Sequence, residues 1–484
     1  MSAPSSKILL GVFIAAYILV FGTLTLLRHA DFQTQAWDMG IFQQTFWNTI
    51  HGRVMQNTIE EIPNHLGIHM SPLLFLLVPG FALFPSPYYL LVIQTLALAL
   101  GAIPAYLLAL HILKNRRLAL FFAGAYLLYP PLHWVNWFDF HEIAFFVPLA
   151  LGGLYFLEQR RWGWAWIFLI LAASTKEDAI LAVAAIGFWL FVKKYPLSTV
   201  YPPKGLTFGF LTKERIHGAL LLTVMLGYFI IATKLIMPAL GGGLVRLDRY
   251  AELGETSLAI VKNLLLHPSL LIQTVITVEK INYVFWLLAS FAFLPLAAGR
   301  ALILAAPGFL ENLLTAFKFQ FSSFYQYDAI LIPALLVASL YGFDRLRVRW
   351  PKQEKVFASI FLIIVGGAFV LRSPIGPLSF PTEFFRANPH RDAYRAMIRE
   401  VPNEASVAAY TNLIPHLSNR EHVYMLGQEP FTADVILLDG GDYFGFPDPK
   451  AFQIYADSYA LSELYDIRII DERYFIFTRK NFSQ

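Results

Sequence analysis

ILLGVFIAAYILVFGTLTLL, residues 8–27, is an unbroken apolar run directly after Lys7. At about 1.5 Å of rise per residue, a helix of that length crosses a hydrocarbon core of about 30 Å. No small-residue cleavage site follows, so the run reads as an uncleaved first helix rather than a signal peptide. The rest of the chain repeats the pattern. Of 484 residues, 57% are hydrophobic and only 14% are charged, which excludes one large soluble core and predicts a polytopic α-helical membrane protein. Ten further apolar runs fall near Tyr88 to Leu113, Leu118 to Tyr129, Ile143 to Leu157, Trp162 to Ala173, Ala179 to Val192, Gly218 to Pro238, Ile281 to Ala298, Ala301 to Phe317, Ala329 to Phe343 and Val356 to Leu371.

Basic residues collect in alternate connections: Lys7, Lys114 to Arg117, Arg160-Arg161, Lys193 to Arg215, Arg300 and Arg345 to Lys355. The positive-inside rule places all of them in the cytoplasm if Leu66 to Phe84, interrupted by Pro72 and Pro79, does not cross. The expectation is therefore eleven spans in the cell membrane, with the N-terminus cytoplasmic. After Arg372 the balance changes: residues 373–484 carry 15 acidic and 10 basic side chains, against a net charge of +9 for the remainder. That break predicts two units, a membrane domain over 1–372 with a first outer loop at 28–87, and a small extracytoplasmic α/β domain over 373–484. Within the latter, helices are expected at His390 to Glu400 and Pro449 to Leu464, and strands at Ser406 to Tyr410, His422 to Leu426, Asp434 to Leu438, Arg468 to Asp471 and Tyr474 to Arg479. No nucleotide-binding glycine motif is present. The small, scattered positive excess argues against nucleic acid as a partner, whereas the lipid bilayer is one.

With no cysteine, any metal must be held by carboxylate, imidazole or backbone oxygen. Asp31, Asp38, Glu60, Glu61, Asp139, His141, Glu142, Glu177 and Asp178 all fall at outer ends of spans or in outer loops, with Glu60 and Glu61 just before His65. In the first loop, Asp38 opens a helix with apolar residues at 41, 42, 46 and 50, which predicts a helix lying flat on the membrane. Asp38 is either the N-cap of that helix or a general base or metal ligand at the lipid boundary. His65 and His69, four apart, would share a helix face as a metal pair, completed by His141 or Glu142. The second loop, with Trp134, Trp137, Phe138 and Phe140, suits an interfacial aromatic belt or a surface for sugar rings. Lys176-Glu177-Asp178 is a charge triplet at the outer boundary, either paired internally or built so that Lys176 holds a phosphate. The run Tyr325 to Asp328 is a belt or another wall of the same pocket. Gly241-Gly242-Gly243 begins a loop to Lys280, with Arg246, Asp248 and Arg249, suited to a mobile lid.

Asp38-Met-Gly-Ile-Phe-Gln-Gln with Trp47-Asn48 and Gly52, His69-Met-Ser-Pro72, Gln94, His141-Glu142, Lys176-Glu177-Asp178, Tyr327 to Pro333, and Pro415-His416-Leu417-Ser418 with Arg420 resemble the prokaryotic domain-of-unknown-function 2079 membrane proteins over nearly the whole chain. The layout is similar to the GT-C glycosyltransferases, which have an acidic residue after the first span, juxtamembrane helices and an outer C-terminal domain. That resemblance implies transfer of a sugar from a polyprenyl-phosphate donor to an acceptor on the extracytoplasmic face. It makes Asp38 and Glu142 the catalytic carboxylates and, if a divalent metal ion takes part, its ligands. Gln43, Trp47, His69, His141, Lys176, Glu177 and Tyr327 would then bind substrate. Those enzymes often carry a second acidic residue beside the first, where this chain has Met39. The competing readings are a transporter or flippase of lipid-linked or small solutes, a non-catalytic receptor or scaffold, and a metal-assisted lipid phosphatase; the oligomeric state is left open.

Overall fold

The computed structural model describes residues 3–193, 212–386, 388–430, 433–480 and 482. Most of the basic connection Lys193 to Arg215 lies outside the described residues. The first helix, Ala3–Ala30, carries the span Ser6–Ala30. By length and composition, Pro87–Leu113, Lys213–Ala239, Leu294–Leu314 and Pro351–Arg372 are candidate spans too, giving five among the described residues, or seven if two bent helix pairs count as one span each. The expected eleven is not reached on that measure. Apolar runs such as Trp162–Ala173 and Phe146–Glu158 form helices of 12 and 13 residues, about 18–20 Å long and shorter than a bilayer core. The segment from Leu66 to Phe84 yields only the helices His65–Ile68 and Leu74–Leu83, neither long enough to cross.

Leu331–Arg349 is the centre of the bundle, with every residue from Leu331 to Asp344 buried. Close approach of helices elsewhere depends on small residues. A Cβ on Gly187 would lie 2.6 Å from the Leu222 nitrogen, and one on Gly218 2.6 Å from the Phe191 nitrogen, so the two backbones touch where neither residue has a side chain. The supposed loop after Gly243 contains the helices Ser257–Leu266 and Pro268–Val275, which turn by 104° where Pro268 cannot continue the first.

The five strands among the described residues all follow Arg372: β1 Val407–Ala409, β2 Val423–Met425, β3 Val435–Asp439, β4 Tyr465–Ile470 and β5 Tyr474–Arg479. Their order is β2-β1-β3-β5-β4; β1 is parallel to β2 and β3, and β5 is antiparallel to β3 and β4. The helix Pro389–Arg399 packs Ala393, Tyr394 and Met397 onto this sheet.

The first loop is the joint between the two parts. Phe32, Ala36, Ile41 and Ile59 enter the core of the sheet domain, while Met39, Phe42 and Phe46 pack against Leu74, Phe81 and Leu90 of the membrane part. Thr58 donates to the Val423 carbonyl at 2.6 Å and accepts from its N–H at 3.0 Å, covering the edge of β2. The helix Ile41–Ile50 therefore does not lie on lipid with a wet outer face. Its polar side, with Gln43 and Gln44, is buried against the sheet domain.

Candidate functional site

Gln35 is extended, and Ala36–Gly40 then forms a single π-turn running into the helix Ile41–Ile50. Asp38 sits inside that turn and caps nothing, which removes its N-cap reading. Its carboxylate Oδ1 accepts instead from His141 Nε2 at 2.7 Å. His141 Nδ1 lies 3.1 Å from the Phe138 carbonyl, so both ring nitrogens face acceptors, and only the doubly protonated ring satisfies both. Burial presses His141 towards neutrality, but Asp38, Glu142 and Asp139 outweigh it and raise its pKa.

The turn that delivers His141 is strained and clamped. Asp139 has φ +43°, a left-handed conformation unfavourable for a residue with a Cβ. Gln94 Nε2 donates to the Asp139 carbonyl at 2.7 Å, and Gln94 Oε1 accepts from the His141 N–H at 2.7 Å. The Asp139 carboxylate is paired with Arg28 and accepts from the Gln35 N–H at 2.7 Å. One buried aspartate thus ties the start of the Asp38 turn to the strand of chain carrying His141.

Two more histidines line the same cavity, each on a different carboxylate. His65 Nδ1 is 3.0 Å from Glu60 Oε2, and both side chains are buried. Burial lowers His65, yet Glu60, with Glu142 and Glu177 beyond it, leaves its pKa raised. Its Nε2 and the Oε2 of Glu142 are buried without hydrogen-bond partners among the described residues. His69 Nδ1 is 3.0 Å from Glu177 Oε1, and the other oxygen of Glu177 accepts from the Met70 N–H at 2.9 Å. Burial, then the Lys176 cation, push His69 down to about 3, so its ring is neutral and donates from Nδ1. Lys176 pairs with Asp178 at 3.7 Å rather than with Glu177. Burial alone would lower Lys176, but Asp178, Glu177, Glu142 and Glu311 outweigh it and hold it cationic.

These groups surround one cavity of about 820 Å³. Asp38, His69, His141, Glu142, Lys176, Glu177 and Tyr327 line it, as do Phe138 and Tyr325, whose rings meet edge-on at 4.6 Å. Gln43 and Trp47 do not. Gln43 is turned to Asn419 of the sheet domain, and Trp47 is stacked on His51 at 3.9 Å. The helix periodicity that placed them near Asp38 could not reveal which face the sheet domain covers. Trp134 donates to the Arg372 carbonyl and Trp137 stacks on Phe384, so of the second-loop aromatics only Phe138 reaches the cavity.

The sequence pattern places Glu60 beside the histidine pair and Arg249 in the glycine-led loop without giving either a role, and it does not single out Glu311; all three line the cavity. Arg249 lies over the Phe317 ring at 4.2 Å and over Tyr327 at 5.5 Å. The glycine run that precedes it touches the first loop through main chain. The Gly243 N–H donates to the Gly67 carbonyl at 2.9 Å, and a Cβ on Gly242 would stand 1.9 Å from that oxygen. Arg246 is 3.6 Å from Glu61. Of the residues expected as metal pairs, Asp38 is engaged with His141, His65 with Glu60 and His69 with Glu177, whereas Glu142 Oε2 has no hydrogen-bond partner among the described residues. Among the described residues no group of three or more histidine or acidic side chains is arranged to hold a metal ion.

A helical membrane bundle carries a sheet domain docked on its first loop, and the cavity is lined by residues between Trp37 and Tyr327 of the membrane part. The chain belongs to the family described as predicted membrane protein (DUF2079), which matches residues 28–459. The fold is similar to that in the crystal structure of ArnT from Cupriavidus metallidurans bound to undecaprenyl phosphate: TM-score 0.55 at 14% identity, over 96% of this chain and 97% of that one. No curated protein matches the sequence.

Proposed function

We propose that this protein is a GT-C-type glycosyltransferase that moves a sugar from a polyprenyl-phosphate donor to an acceptor on the extracytoplasmic face. The observation that carries this reading is the single cavity in which a carboxylate held by an imidazolium, Asp38 with His141, shares space with the cations Lys176, Arg246 and Arg249. The likeness of fold to a protein crystallised with undecaprenyl phosphate supports a lipid phosphate as the bound group. In the reaction, the bond from the sugar's anomeric carbon to the phosphate oxygen breaks, and its electron pair leaves on the phosphate beside Lys176. The acceptor oxygen bonds to that carbon and yields its proton to Asp38, with Glu142 as a second acidic group in reach of the sugar. The extracytoplasmic location rests on the alternation of basic loops, with the N-terminus inside and residues 373–484 outside.

The test is turnover of a panel of radiolabelled polyprenyl-phosphate sugars by the protein in liposomes, for wild type, Asp38→Asn and Lys176→Ala, with and without divalent metal. Release or transfer of sugar that disappears in Asp38→Asn is the expected result. A folded wild type that leaves the whole panel intact shifts the reading to transport or binding of a lipid phosphate.

A further inference from the structure

A second cavity, of about 250 Å³, lies where the sheet domain meets the ends of two spans. Ala30 and Phe32, at the end of the span Ser6–Ala30, and Tyr88, at the start of Pro87–Leu113, form one side of it. Arg395, Arg399 and His416 of the sheet domain form the other, and none of these six residues lines the large cavity.

The arginines are there because of helix geometry. With Ala393, Tyr394 and Met397 of Pro389–Arg399 buried in the domain, Arg391, Arg395 and Arg399, spaced by four, form one stripe on the helix surface. The stripe loses its partners along its length. Arg391 is 3.4 Å from Asp31, and Arg395 reaches the Ala30 carbonyl at 3.3 Å and lies 3.8 Å from the exposed Asp392 carboxylate, a solvent-screened contact, whereas Arg399 has no ion-pair or hydrogen-bond partner among the described residues. Two guanidinium groups are left over the ends of two spans, at the level where lipid phosphates lie, beside a tyrosine of the kind that sits at that depth.

His416 supplies a second, independent sign. Its ring is stacked on His29 at 4.0 Å and leans on Phe32 at 4.2 Å, and its Nε2 is buried without a hydrogen-bond partner among the described residues. Burial holds the ring down to about 4, despite a hydrogen bond to the His29 backbone, so near neutral pH the bare Nε2 is an acceptor. The cavity thus presents donors for an anion and, next to them, an acceptor for an O–H or N–H. A phosphodiester whose alcohol carries a hydroxyl or ammonium group has both complements.

We propose that this cavity binds the headgroup of a membrane phospholipid, its phosphodiester on Arg395 and Arg399 and its hydroxyl or ammonium donor towards His416. Two arginines close to an anionic headgroup correspond to a preference on the order of thirtyfold over a lipid lacking net charge. The full chain, reconstituted in nanodiscs of mixed phosphatidylglycerol and phosphatidylcholine, is released into a native mass spectrometer and its retained lipids counted. One phosphatidylglycerol retained per protein, and lost in the double variant Arg395→Gln with Arg399→Gln, is expected. Both arginines are exposed, so the variant's unfolding midpoint in detergent should match wild type. Equal retention of the two lipids, or unchanged retention in the variant, overturns the proposal. Displacement of the lipid by excess inorganic phosphate would assign the site to a free anion and overturn the lipid as its source. Neither readout depends on sugar transfer, so the result stands apart from the proposed reaction.

Discussion

His141 and His69 border the same cavity, each with one ring nitrogen on a carboxylate and each driven towards the neutral form by burial, yet they end in opposite charge states. The difference lies in what else faces the ring. Around His141 are a backbone carbonyl and the carboxylates of Asp38, Glu142 and Asp139. Around His69 are the Lys176 cation and His65, which overcome Glu142 and Glu60. An imidazole beside a carboxylate is thus not a fixed unit of chemistry. One end of this cavity offers a positive group that orients a carboxylate, and the other offers a neutral ring with a free lone pair.

The largest effect should come from breaking the first pair. Asp38→Asn keeps the shape but removes the charge that holds His141 protonated, and sugar transfer should fall on the order of 10²- to 10⁴-fold. Undiminished transfer by that variant would remove Asp38 as the base. Next, Lys176→Met should make the second site resemble the first: without the cation, His69 rises towards its ordinary value of 6.5, which NMR of the labelled histidines can follow. Asp178 then loses its cation but keeps the Ala179 N–H on its Oδ1, so unfolding free energy should fall only modestly, by about 1 kcal/mol. A His69 that stays near 3 would mean that burial alone sets it.

The two histidines should also give opposite pH slopes of stability. His69 is depressed, so its contribution is complete above about pH 6.5 and is lost as pH falls towards 3. His141 is raised, so the stability of its ion pair is complete below about pH 6.5 and is lost as pH climbs through the raised value. Unfolding midpoints in detergent across pH should lose the acid-side decline in His69→Gln and the alkaline-side decline in His141→Gln. If both variants lose the same limb, the assignment of charge states is wrong. A smaller effect is expected at the clamp. Gln94→Leu leaves the Asp139 carbonyl and the His141 N–H unpaired, costing about 2 kcal/mol and lowering turnover rather than substrate affinity. Trp47→Ala, outside the cavity, should change transfer by less than about twofold, which sets the baseline for the others.

Periodicity and charge made much of this legible from sequence. The apolar runs announced a membrane bundle, the acidic excess after residue 372 marked where the strands begin, and the strand segments of the sheet domain fall close to where alternation put them. Asp38, His141, Glu142, Lys176 and Glu177 stood out because ionisable side chains at span ends are costly. What periodicity cannot carry is contact through space. Nothing near Arg249 announces that it folds back over Phe317, and Glu60 finds His65 only because Asn57 organises the intervening loop. Fewer helices among the described residues qualify as spans by length and composition than there are apolar runs, because hydropathy measures how apolar a run is and not where the helix within it stops.

The contact of Gly67 with Gly242 and Gly243 fixes the calibre of the cavity. The loop with Glu60, His65 and His69 and the turn with Arg246 and Arg249 are joined there through main chain, without an intervening side chain to compress or rotate. The spacing between the acidic and cationic faces is therefore a property of the backbone, and side chains on either face can be exchanged without altering the aperture. A scaffold of that kind lends itself to changes of substrate by substitution within the walls, whereas any residue larger than glycine at 242 would force the faces apart before its own chemistry could matter.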